Sequence, residues 1–518
     1  MSTALRIAIR CDASAEIGGG HTMRCLTLAN ALSDTGASVT FAAAAMPDAL
    51  AERIRGAGHA LKLIPQSPEM EREGERWEEP PLSSEAQLAD AKATGEAVGK
   101  ADWIVVDHYL LDARWHSAAR GFAGRILVID DLANRRYDCD VLLDQTFGRS
   151  ADDYRERIPA GAKILAGATY ALLRPEFARE RPAALERREE GGPVRRILVS
   201  MGTTDPGGIT ARIVDQLLAA APQCAIDVVL GPQATSLDQV RELAAAHPAV
   251  SVHVDSEHMA ELMREADLAI GAAGSTSWER CCLGLPAIVF AVADNQRLGA
   301  ENLQSAGAAL LADSAVEVPA LVQQLKDDHV RLSMIAAAAA ITDGSGTRIV
   351  AQILQEEVRP KDDELRLRAA EPTDAQPVWL WRNDWVTRKR SQTTAPLPWA
   401  DHKDWWDKAL KSGERHILIA EVRGAPVAMV RFDQVDEGGF EVSINLAPSA
   451  RGSGLGRRVL SEACSVFRDR NDGVRLLATI HPDNPASLSI FKGLGFVRSG
   501  ALSNSSFERY ELAEGTAE

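Results

Sequence analysis

The most constraining feature of this chain is a regular alternation between short apolar runs and stretches with apolar residues at helical spacing. The first apolar runs are Leu5–Cys11, Ser38–Ala43 and His59–Ile64, and the helical segments His21–Leu32 and Asp48–Gly56 lie between them. Strands that are separated by helices of this length form βαβ units, and such units build a parallel sheet. The sequence therefore predicts an α/β fold.

The alternation continues along the chain and then begins a second time. The runs Asp102–Asp107 and Arg125–Asp130 end in carboxylates, at the position where strands of such sheets present functional groups. After the highly charged break Arg179–Gly192, a second series of strands is predicted: Arg196–Ser200, Ala225–Gly231, Val250–Val254, Leu268–Gly271 and Ala287–Ala291. We therefore predict two Rossmann-like halves, at residues 1–178 and 192–357.

The composition changes after a charged, proline-containing linker, Val358–Glu364. Tryptophan becomes frequent, at positions 379, 381, 385, 399, 405 and 406. Strand-like runs at His416–Val422, Pro426–Asp433 and Gly439–Leu446 follow, and then a glycine-rich turn leads into an amphipathic helix. This pattern predicts a separate α+β domain at residues 365–515. Three domains also suit a length of 518 residues, at roughly 150 residues per domain.

Charge and cysteine usage exclude several classes of function. The chain carries 57 Lys and Arg against 73 Asp and Glu, a net charge of −16, so it would repel the phosphate backbone of a nucleic acid. No apolar run is long enough to span a membrane, and the N-terminus lacks the pattern of a secretory signal. The seven cysteines form no C-x-x-C motif and no metal-ligand spacing. We expect a cytoplasmic protein without a metal, a nucleic-acid partner or a membrane partner.

A first candidate site follows the first strand. Asp12 ends that strand, and Gly18-Gly19-Gly20-His21 opens the next helix. Glycines let backbone N–H groups approach a ligand, and a helix N-terminus favours negative charge. An imidazole at this position suits a general base, because the helix dipole disfavours its protonated form. By residue type alone, a tight strand–helix turn without a catalytic role explains the pattern better than catalysis does.

Several runs resemble, in order, the nucleotide-sugar hydrolases that act on UDP-2,4-diacetamido-2,4,6-trideoxy-β-L-altropyranose in pseudaminic acid biosynthesis. Over about residues 5–355 these runs are RCDASAEIGGGHTMRCLTLANAL, VVDHYLLDARW, IDDLANRRYDCDVLLDQ, YALLRPEF, SMGTTDPGG, GAAGSTSWE and DNQ. The resemblance implies a GT-B fold in which His21 activates water for attack on the anomeric carbon, with UDP as the leaving group. Asp12 would orient the sugar or His21, or would cap the strand end as an Asx turn. Asp107 and His108 have either a cleft position or a structural role.

The same resemblance places the UDP site mainly in the second half. Small residues after a strand suit a diphosphate, and Glu279, one helical turn on, would accept both ribose hydroxyls. A solvated loop or a helix cap is the alternative at each position. The candidate substrate and UDP contacts are Gly19, Gly20, Thr203, Asp205, Gly274, Ser275, Glu279, Asn295 and Gln296.

A second candidate site lies in the last domain, where the pattern Arg-x-x-Gly-x-Gly begins at Arg451 between a strand and a helix. This pattern and the ending NPAS…FKGLGF resemble the GNAT acyltransferases over about residues 365–512. The resemblance implies acetyl-CoA as co-substrate, bound by Arg451, Gly452, Gly454, Leu455, Gly456, Arg457 and Asn484. Phe491 departs from the family, which often has a tyrosine there to protonate the leaving thiolate. Glu441 is a candidate base, and a solvent-facing strand carboxylate is the alternative.

Together the two sites predict a bifunctional enzyme. The last domain would acetylate the 4-amino group of a UDP-sugar, and the first two domains would hydrolyse the product, with no partner other than these small molecules. Two other hypotheses stay open. One is a GT-B glycosyltransferase with an accessory acetyltransferase, and the other is a hydrolase whose GNAT domain only senses acetyl-CoA.

Overall fold

The apolar runs form strands because aliphatic and β-branched residues dominate them, as strands buried on both faces require. A computed structural model places these strands in two compact units, Met1–Pro360 and Lys361–Glu518. The division between the units falls within the predicted linker Val358–Glu364. The structure describes residues 4–14, 17–70, 81–189, 191–221, 223–356, 365–389, 391, 394–422, 425–451, 455–471, 473–501 and 507–512.

The first sheet of unit Met1–Pro360 is parallel, and its seven strands lie in the order β3-β2-β1-β4-β5-β6-β7. Its apolar residues pack in two clusters, one on each face. The elements in chain order are β1 (Arg6–Cys11), α1 (Gly20–Ser33), β2 (Ser38–Ala43), α2 (Asp48–Gly56), β3 (Ala60–Leu63), α3 (Ser84–Val98), β4 (Ala101–Asp107), α4 (Ala113–Ala119), β5 (Ala123–Ile129), β6 (Val141–Asp144) and β7 (Lys163–Ala166).

The second sheet of this unit is also parallel, with six strands in the order β10-β9-β8-β11-β12-β13. Its elements are α5 (Pro175–Glu189), β8 (Arg196–Ser200), α6 (Ile209–Ala220), β9 (Ala225–Leu230), α7 (Leu237–Ala246), β10 (Val250–Val254), α8 (Met259–Glu265), β11 (Leu268–Ala272), α9 (Thr276–Cys282), β12 (Ala287–Phe290), α10 (Asp294–Ser305), β13 (Leu310–Leu311), α11 (Val318–Gln324), α12 (Asp328–Ala339) and α13 (Gly346–Glu356).

Two helices differ from the sequence interpretation. The predicted break Arg179–Gly192 is largely helical, because α5 continues through Pro182 to Glu189. Buried arginines of α5 donate to backbone carbonyls of the second half: Arg188 donates to Met263 over 2.7 Å, for example. Helix α13 returns to the first half, where Val350 and Leu354 pack in the same cluster as β1 and α1 residues. Thus α5, which precedes the second sheet in the chain, packs on the second half, and α13, which follows that sheet, packs on the first half.

Unit Lys361–Glu518 contains one mixed sheet in the order β14-β15-β16-β17-β18-β20-β19. Helices α14 and α16 share an apolar cluster with one face, and α17 shares a cluster with the other. The elements are β14 (Leu365–Ala369), α14 (Ala375–Asn383), α15 (Trp385–Lys389), α16 (Trp399–Lys411), β15 (Arg415–Val422), β16 (Ala425–Asp436), β17 (Gly439–Leu446), α17 (Leu455–Arg468), β18 (Arg475–Ile480), α18 (Pro485–Gly493), β19 (Phe496–Ala501) and β20 (Glu508–Leu512).

The predicted fold class is confirmed: two Rossmann-like sheets precede an α+β domain with a mixed sheet. All seven cysteines are buried and unbridged. Within the described ranges, every helix is too short or too polar to cross a membrane.

Candidate functional site

The glycine-rich turn after β1 leaves the start of α1 open. Gly18 has a φ of +75°, a conformation that favours glycine, and Gly19 precedes the helix without a capping side chain. Gly20, the first helical residue, is exposed. The N–H groups of the first turn therefore receive no side-chain acceptor from the residue that precedes α1, as a site for an anion requires. His21 is the second residue of α1 and is only 9% exposed.

His21 forms a short hydrogen bond with Asp107, the last residue of β4. Nδ1 of His21 lies 2.6 Å from Oδ1 of Asp107. The two residues meet because β4 is the neighbour of β1, with Asp107 paired to Cys11. A carboxylate only accepts hydrogen bonds, so Nδ1 carries a proton toward Asp107, and Nε2 carries the lone pair whenever the ring is neutral. This is the tautomer that a general base needs.

Arg24, one turn along α1, donates to both oxygens of the same carboxylate. Its Nε lies 2.6 Å from Oδ2 of Asp107 and its Nη2 lies 2.7 Å from Oδ1. Burial by itself would raise the pKa of Asp107, but the charges and hydrogen bonds of Arg24 and His21 together outweigh burial and hold this pKa below its usual range. Asp107 therefore stays ionised and fixes the orientation of the His21 ring.

Tyr109 and Asn295 complete this side of the cleft between the two halves. The rings of His21 and Tyr109 meet edge to face, with their centroids 4.8 Å apart. The Tyr109 hydroxyl donates to Asp131 over 2.5 Å and accepts from Nδ2 of Asn295, a residue of the second half, over 3.5 Å. Oδ1 of Asn295 is buried and has no hydrogen-bond partner among the described residues. This buried acceptor is suited to a donor group on a bound ligand.

Asp12 belongs to a different network. Oδ1 of Asp12 accepts from Arg10 over 2.5 Å and from the backbone N–H of Ala44 over 2.8 Å, and Oδ2 lies 3.0 Å from Nε2 of His108. The backbone N–H of Leu110 donates to Nδ1 of His108, so Nε2 is the nitrogen that donates to Asp12. The hypothesis that Asp12 orients His21 is therefore wrong, because Asp107 takes that position. A role for Asp12 toward the sugar stays a prediction.

Several predicted UDP contacts come together in the second half. The position that a Cβ of Gly274 would occupy lies 3.6 Å from Nε2 of Gln296. Gln296, in the first turn of α10, accepts from the backbone N–H of Val292 over 3.2 Å. Ser275 is exposed immediately before α9. The loop after β11 and the start of α10 thus face the same space.

Glu279 lies in α9, behind this loop. It keeps partial contact with solvent, while protein surrounds its carboxyl group on most sides. Burial raises its pKa to about 7, against the opposing charges of Arg174 and Arg280. No described residue forms a hydrogen bond with this carboxyl group. A group of this kind is suited to accept hydroxyl donors from a ligand.

The loop after β8 has a structural role at one of its two predicted positions. Asp205 is fully buried with a φ of +46°, and its Oδ1 accepts from the backbone N–H of Thr210 over 3.2 Å at the start of α6. Its Oδ2 accepts from the Ser236 hydroxyl. Both carboxylate oxygens of Asp205 thus accept hydrogen bonds within the protein, and its contact with UDP stays a prediction. Thr203 is exposed, and its role stays a prediction.

In the second unit, the central strands separate where acetyl-CoA is expected. In the described part of the sheet, β17 pairs with β18 only from Gly439 to Glu441. Beyond Glu441, the later residues of β17 have no described partner on β18. The predicted contacts Gly452 and Gly454 lie outside the described residues. Helix α17 begins directly after them, at Leu455.

The side chain of Arg451 forms hydrogen bonds within the protein. Its Nη1 lies 2.6 Å from Oδ2 of Asp384, and its Nη2 donates to Oγ1 of Thr387 over 2.8 Å. The guanidinium is thus bound to the α14–α15 segment, and the predicted contact of Arg451 with acetyl-CoA stays a prediction.

Of three other predicted acetyl-CoA residues, Gly456 and Arg457 lie between α17 and α18, and Asn484 caps α18. A Cβ on the buried Gly456 would lie 2.9 Å from side-chain carbons of Ile490 and Leu446. Arg457 donates to the carbonyl of Gly493 over 2.6 Å. Oδ1 of Asn484 accepts from the N–H of Ser487 and so caps α18. Their contact with a ligand stays a prediction.

Phe491 and Glu441 lie in different environments. Phe491 is 3% exposed and packs edge to face on Phe496, with centroids 5.0 Å apart. It is a core residue and has no proton to donate. Glu441 is partly buried on β17, opposite Asp433 of β16. Its role as a base stays a prediction.

Sequence reasoning missed Arg24, Tyr109 and Asp131, and it left Asp107 undecided. The available signal was Asp107 itself, a carboxylate at the end of a strand beside β1. Among the described residues, no cluster of three or more His, Cys, Asp or Glu side chains is arranged to hold a metal ion.

Comparison with known families identifies two parts of the chain. A profile of the glycosyltransferase family 28 C-terminal domain matches residues 218–344. A profile of the acetyltransferase (GNAT) domain matches residues 364–497.

Curated relatives and solved structures extend this comparison. The UDP-2,4-diacetamido-2,4,6-trideoxy-beta-L-altropyranose hydrolase of Campylobacter jejuni is 27% identical over 272 residues, 52% of this chain and 86% of the relative. An uncharacterised protein of Methanocaldococcus jannaschii is 22% identical over 506 residues, 96% of this chain and 97% of the relative. The crystal structure of MurG from Acinetobacter baumannii is 17% identical with a TM-score of 0.48, and the match covers 68% of this chain and 99% of MurG.

These matches identify the chain as a nucleotide-sugar-related enzyme that is homologous to the altropyranose hydrolase over about half of its length, contains a glycosyltransferase family 28 C-terminal domain, and carries a GNAT acetyltransferase domain after it.

Proposed function

We propose that unit Met1–Pro360 hydrolyses UDP-2,4-diacetamido-2,4,6-trideoxy-β-L-altropyranose. We further propose that unit Lys361–Glu518 uses acetyl-CoA to acetylate the 4-amino group of the precursor UDP-sugar. The observation that carries the first proposal is the buried contact of 2.6 Å between His21 and Asp107 at the open start of α1. Homology to the hydrolase of Campylobacter jejuni supports the choice of substrate.

In the proposed hydrolysis, Nε2 of His21 accepts a proton from water. The water oxygen attacks the anomeric carbon, the bond from that carbon to the diphosphate oxygen breaks, and UDP leaves. Asp107 stabilises the imidazolium that forms, because its carboxylate is already bound to Nδ1–H. Arg24 keeps the carboxylate ionised and correctly oriented. A positioned base of this kind contributes about 10²–10⁴ in rate.

The second half would hold the leaving nucleotide. Glu279 would accept the ribose hydroxyls, since its carboxyl group has no protein partner among the described residues. Backbone N–H groups near Gly274 and the side chain of Gln296 would contact the diphosphate. Asn295 would use its buried, unpartnered Oδ1 for a donor on the sugar. The match to a glycosyltransferase family 28 C-terminal domain supports a sugar-nucleotide site here.

In the proposed acetylation, the 4-amino group attacks the thioester carbon of acetyl-CoA. The carbon–sulfur bond breaks and the thiolate leaves, while Glu441 receives the proton that the amine loses. Because Phe491 has no proton to give, the thiolate takes its proton from water or from another group. The product of this step is the substrate of the hydrolysis step, so the two reactions would follow each other on one chain.

The family 28 match also favours a second candidate, a GT-B glycosyltransferase. One experiment separates the candidates. The full chain is incubated with UDP-4-amino-4,6-dideoxy-β-L-AltNAc, with and without acetyl-CoA, and products are followed by mass spectrometry and NMR. Free diacetamido sugar and UDP, formed only with acetyl-CoA and without any acceptor, support the proposal. Intact acetylated UDP-sugar that persists until an acceptor is added supports the transferase. Lack of acetyl transfer supports a sensing role for the GNAT domain.

We also propose a cytoplasmic location, which the seven buried, unbridged cysteines support, because thiols stay reduced in that compartment. The partners in this proposal are small molecules only, without a nucleic acid or a membrane surface.

A further inference from the structure

On one face of the mixed sheet in unit Lys361–Glu518, two arginines stack on one tryptophan. The guanidinium carbons of Arg415 and Arg431 lie 5.3 Å and 5.5 Å from the ring centre of Trp405. Both distances are within the range of a cation–π interaction. Asp433 lies between the arginines and pairs with both, with Nε of Arg431 2.7 Å from Oδ2. The arginines are therefore held in place from two sides.

The register of the sheet puts this cluster beside the candidate base. Arg415 pairs with Asp433, Arg431 pairs with Ser443, and Asp433 pairs with Glu441. Residues that pair directly, and residues two apart on a strand, point to the same face. A ligand bound to the arginines would thus lie next to Glu441, where the acceptor amine is proposed to react.

Positive charge exceeds negative charge on this face. Arg382 of α14 lies near Arg431, whose charge lowers the pKa of Arg382 after the larger effect of burial. Arg382, Arg415 and Arg431 thus carry three positive charges, against the two carboxylates of Asp433 and Glu441. This excess disfavours a cationic acceptor such as a polyamine and favours an anionic one.

Arg415 and Arg431 also have N–H groups that a ligand can use. Among the described residues, the terminal nitrogens of Arg415 and Arg431 have no protein acceptor, and each side chain is 29% exposed. A guanidinium presents N–H groups in a planar fork that matches phosphate oxygens. Trp405 and Asp433 hold the two guanidinium groups in place without using their terminal nitrogens.

We propose that Arg415 and Arg431, supported by Trp405 and assisted by Arg382, bind the diphosphate of the acceptor. The acetyltransferase would then act on an amine that is attached to a nucleoside diphosphate and would discriminate against the free amino sugar. This inference rests on the proposed transferase function and adds its specificity residues.

Hydrogen–deuterium exchange of the full chain, with UDP as the probe, locates binding separately in each unit. UDP should slow exchange in peptides from α14 and β16. Arg431→Ala should remove this protection while leaving protection in unit Met1–Pro360 intact. It should also raise KM for the UDP-amino sugar by about tenfold to hundredfold, as for one lost charged hydrogen bond, with KM for acetyl-CoA unchanged. Arg431→Lys, which keeps the charge, should give a protection and a KM between those of the parent chain and those of Arg431→Ala.

Arg475→Ala is the matched control, since Arg475 forms an exposed ion pair with Asp436 on the same sheet. Arg475→Ala should leave the protection by UDP and the KM for the UDP-amino sugar as in the parent chain. Absence of UDP protection in α14 and β16, or equal kcat/KM for the free and the nucleotide-linked amine, would overturn the inference. A further outcome separates the two proposals. If Arg431→Ala loses the protection by UDP but the parent chain acetylates nothing, the diphosphate site is supported and the proposed transferase function is refuted.

Discussion

Nδ1 of His21 lies 2.6 Å from Oδ1 of Asp107, although 86 residues of sequence separate them. The same carboxylate binds Arg24 through both of its oxygens. A similar arrangement occurs away from the cleft residues, where Asp227 binds His253 over 2.8 Å and Arg196 over 2.9 Å. The second arrangement provides controls that are matched in residue type and in pairing.

Replacing His21 with asparagine should remove most hydrolysis. The side chain of asparagine can keep a hydrogen bond to Asp107 but cannot accept a proton from water. We expect kcat to fall by about 10²–10⁴ and UDP affinity to stay within about twofold of the parent value. The kcat is measured as release of UDP from the diacetamido sugar nucleotide, and the UDP affinity is measured by calorimetry. His253→Asn should leave both unchanged, and a residual rate for His21→Asn within about threefold of the parent would refute the assignment.

Replacing Asp107 with asparagine should fix the wrong tautomer of His21. With the amide oxygen at the Oδ2 position, where Nε of Arg24 donates, the amide N–H would face Nδ1 of His21, and the bond from Nη2 of Arg24 would be lost. Nδ1 would then accept, Nε2 would carry the proton, and water could not be activated. We expect a fall in kcat of about 10²–10⁴ with KM nearly unchanged, in a chain whose thermal melting confirms folding. Asp227→Asn is the control, and a rise in KM at constant kcat would instead place Asp107 in substrate binding.

Binding of the sugar nucleotide should depend on pH through Glu279, whose pKa is raised to about 7 by burial. Ribose hydroxyls donate to the ionised carboxylate, so they lower its pKa in the complex and binding releases a proton. Affinity should therefore fall as the pH drops below about 7 and should level off above it, with a slope of at most about tenfold per pH unit.

The measurement uses His21→Asn, which retains the substrate, between pH 5.5 and 8.5. The UDP-sugar itself has no group that titrates in this range. Adding Glu279→Gln should remove the pH dependence and weaken binding at pH 8 by about 1.5–3 kcal/mol. An affinity that is already independent of pH with Glu279 present would place the ribose elsewhere.

Each unit should act without the other, because domain boundaries fall where few contacts cross. A chain that ends at Pro360 should hydrolyse the diacetamido sugar nucleotide at the rate of the full chain, without acetyl-CoA. A chain that begins at Lys361 should bind acetyl-CoA and acetylate the 4-amino sugar nucleotide. If the first fragment melts cooperatively but hydrolyses nothing until the second is added, the active cleft requires both units.

The order of the elements could be read from the sequence, because strand and helix periodicities are local properties. The apolar runs at the positions of β1, β4 and β8 predicted the strands that the structure contains. The break after Arg179 was misread, since its many charges obscured a helix. Its buried arginines are satisfied by backbone carbonyls of the second half, and that pairing depends on packing.

The sequence by itself determined the residue types and their local positions: a histidine after three glycines, a small-residue loop before Glu279, and a second glycine-rich turn at Arg451. Only the tertiary structure decided what each charged group contacts. It paired His21 with Asp107 instead of Asp12, Asp205 with the backbone N–H of Thr210, and Arg451 with Asp384. The physical reason is that a buried charge must find a partner nearby in space, and sheet order and helix packing bring distant parts of the chain within hydrogen-bond reach.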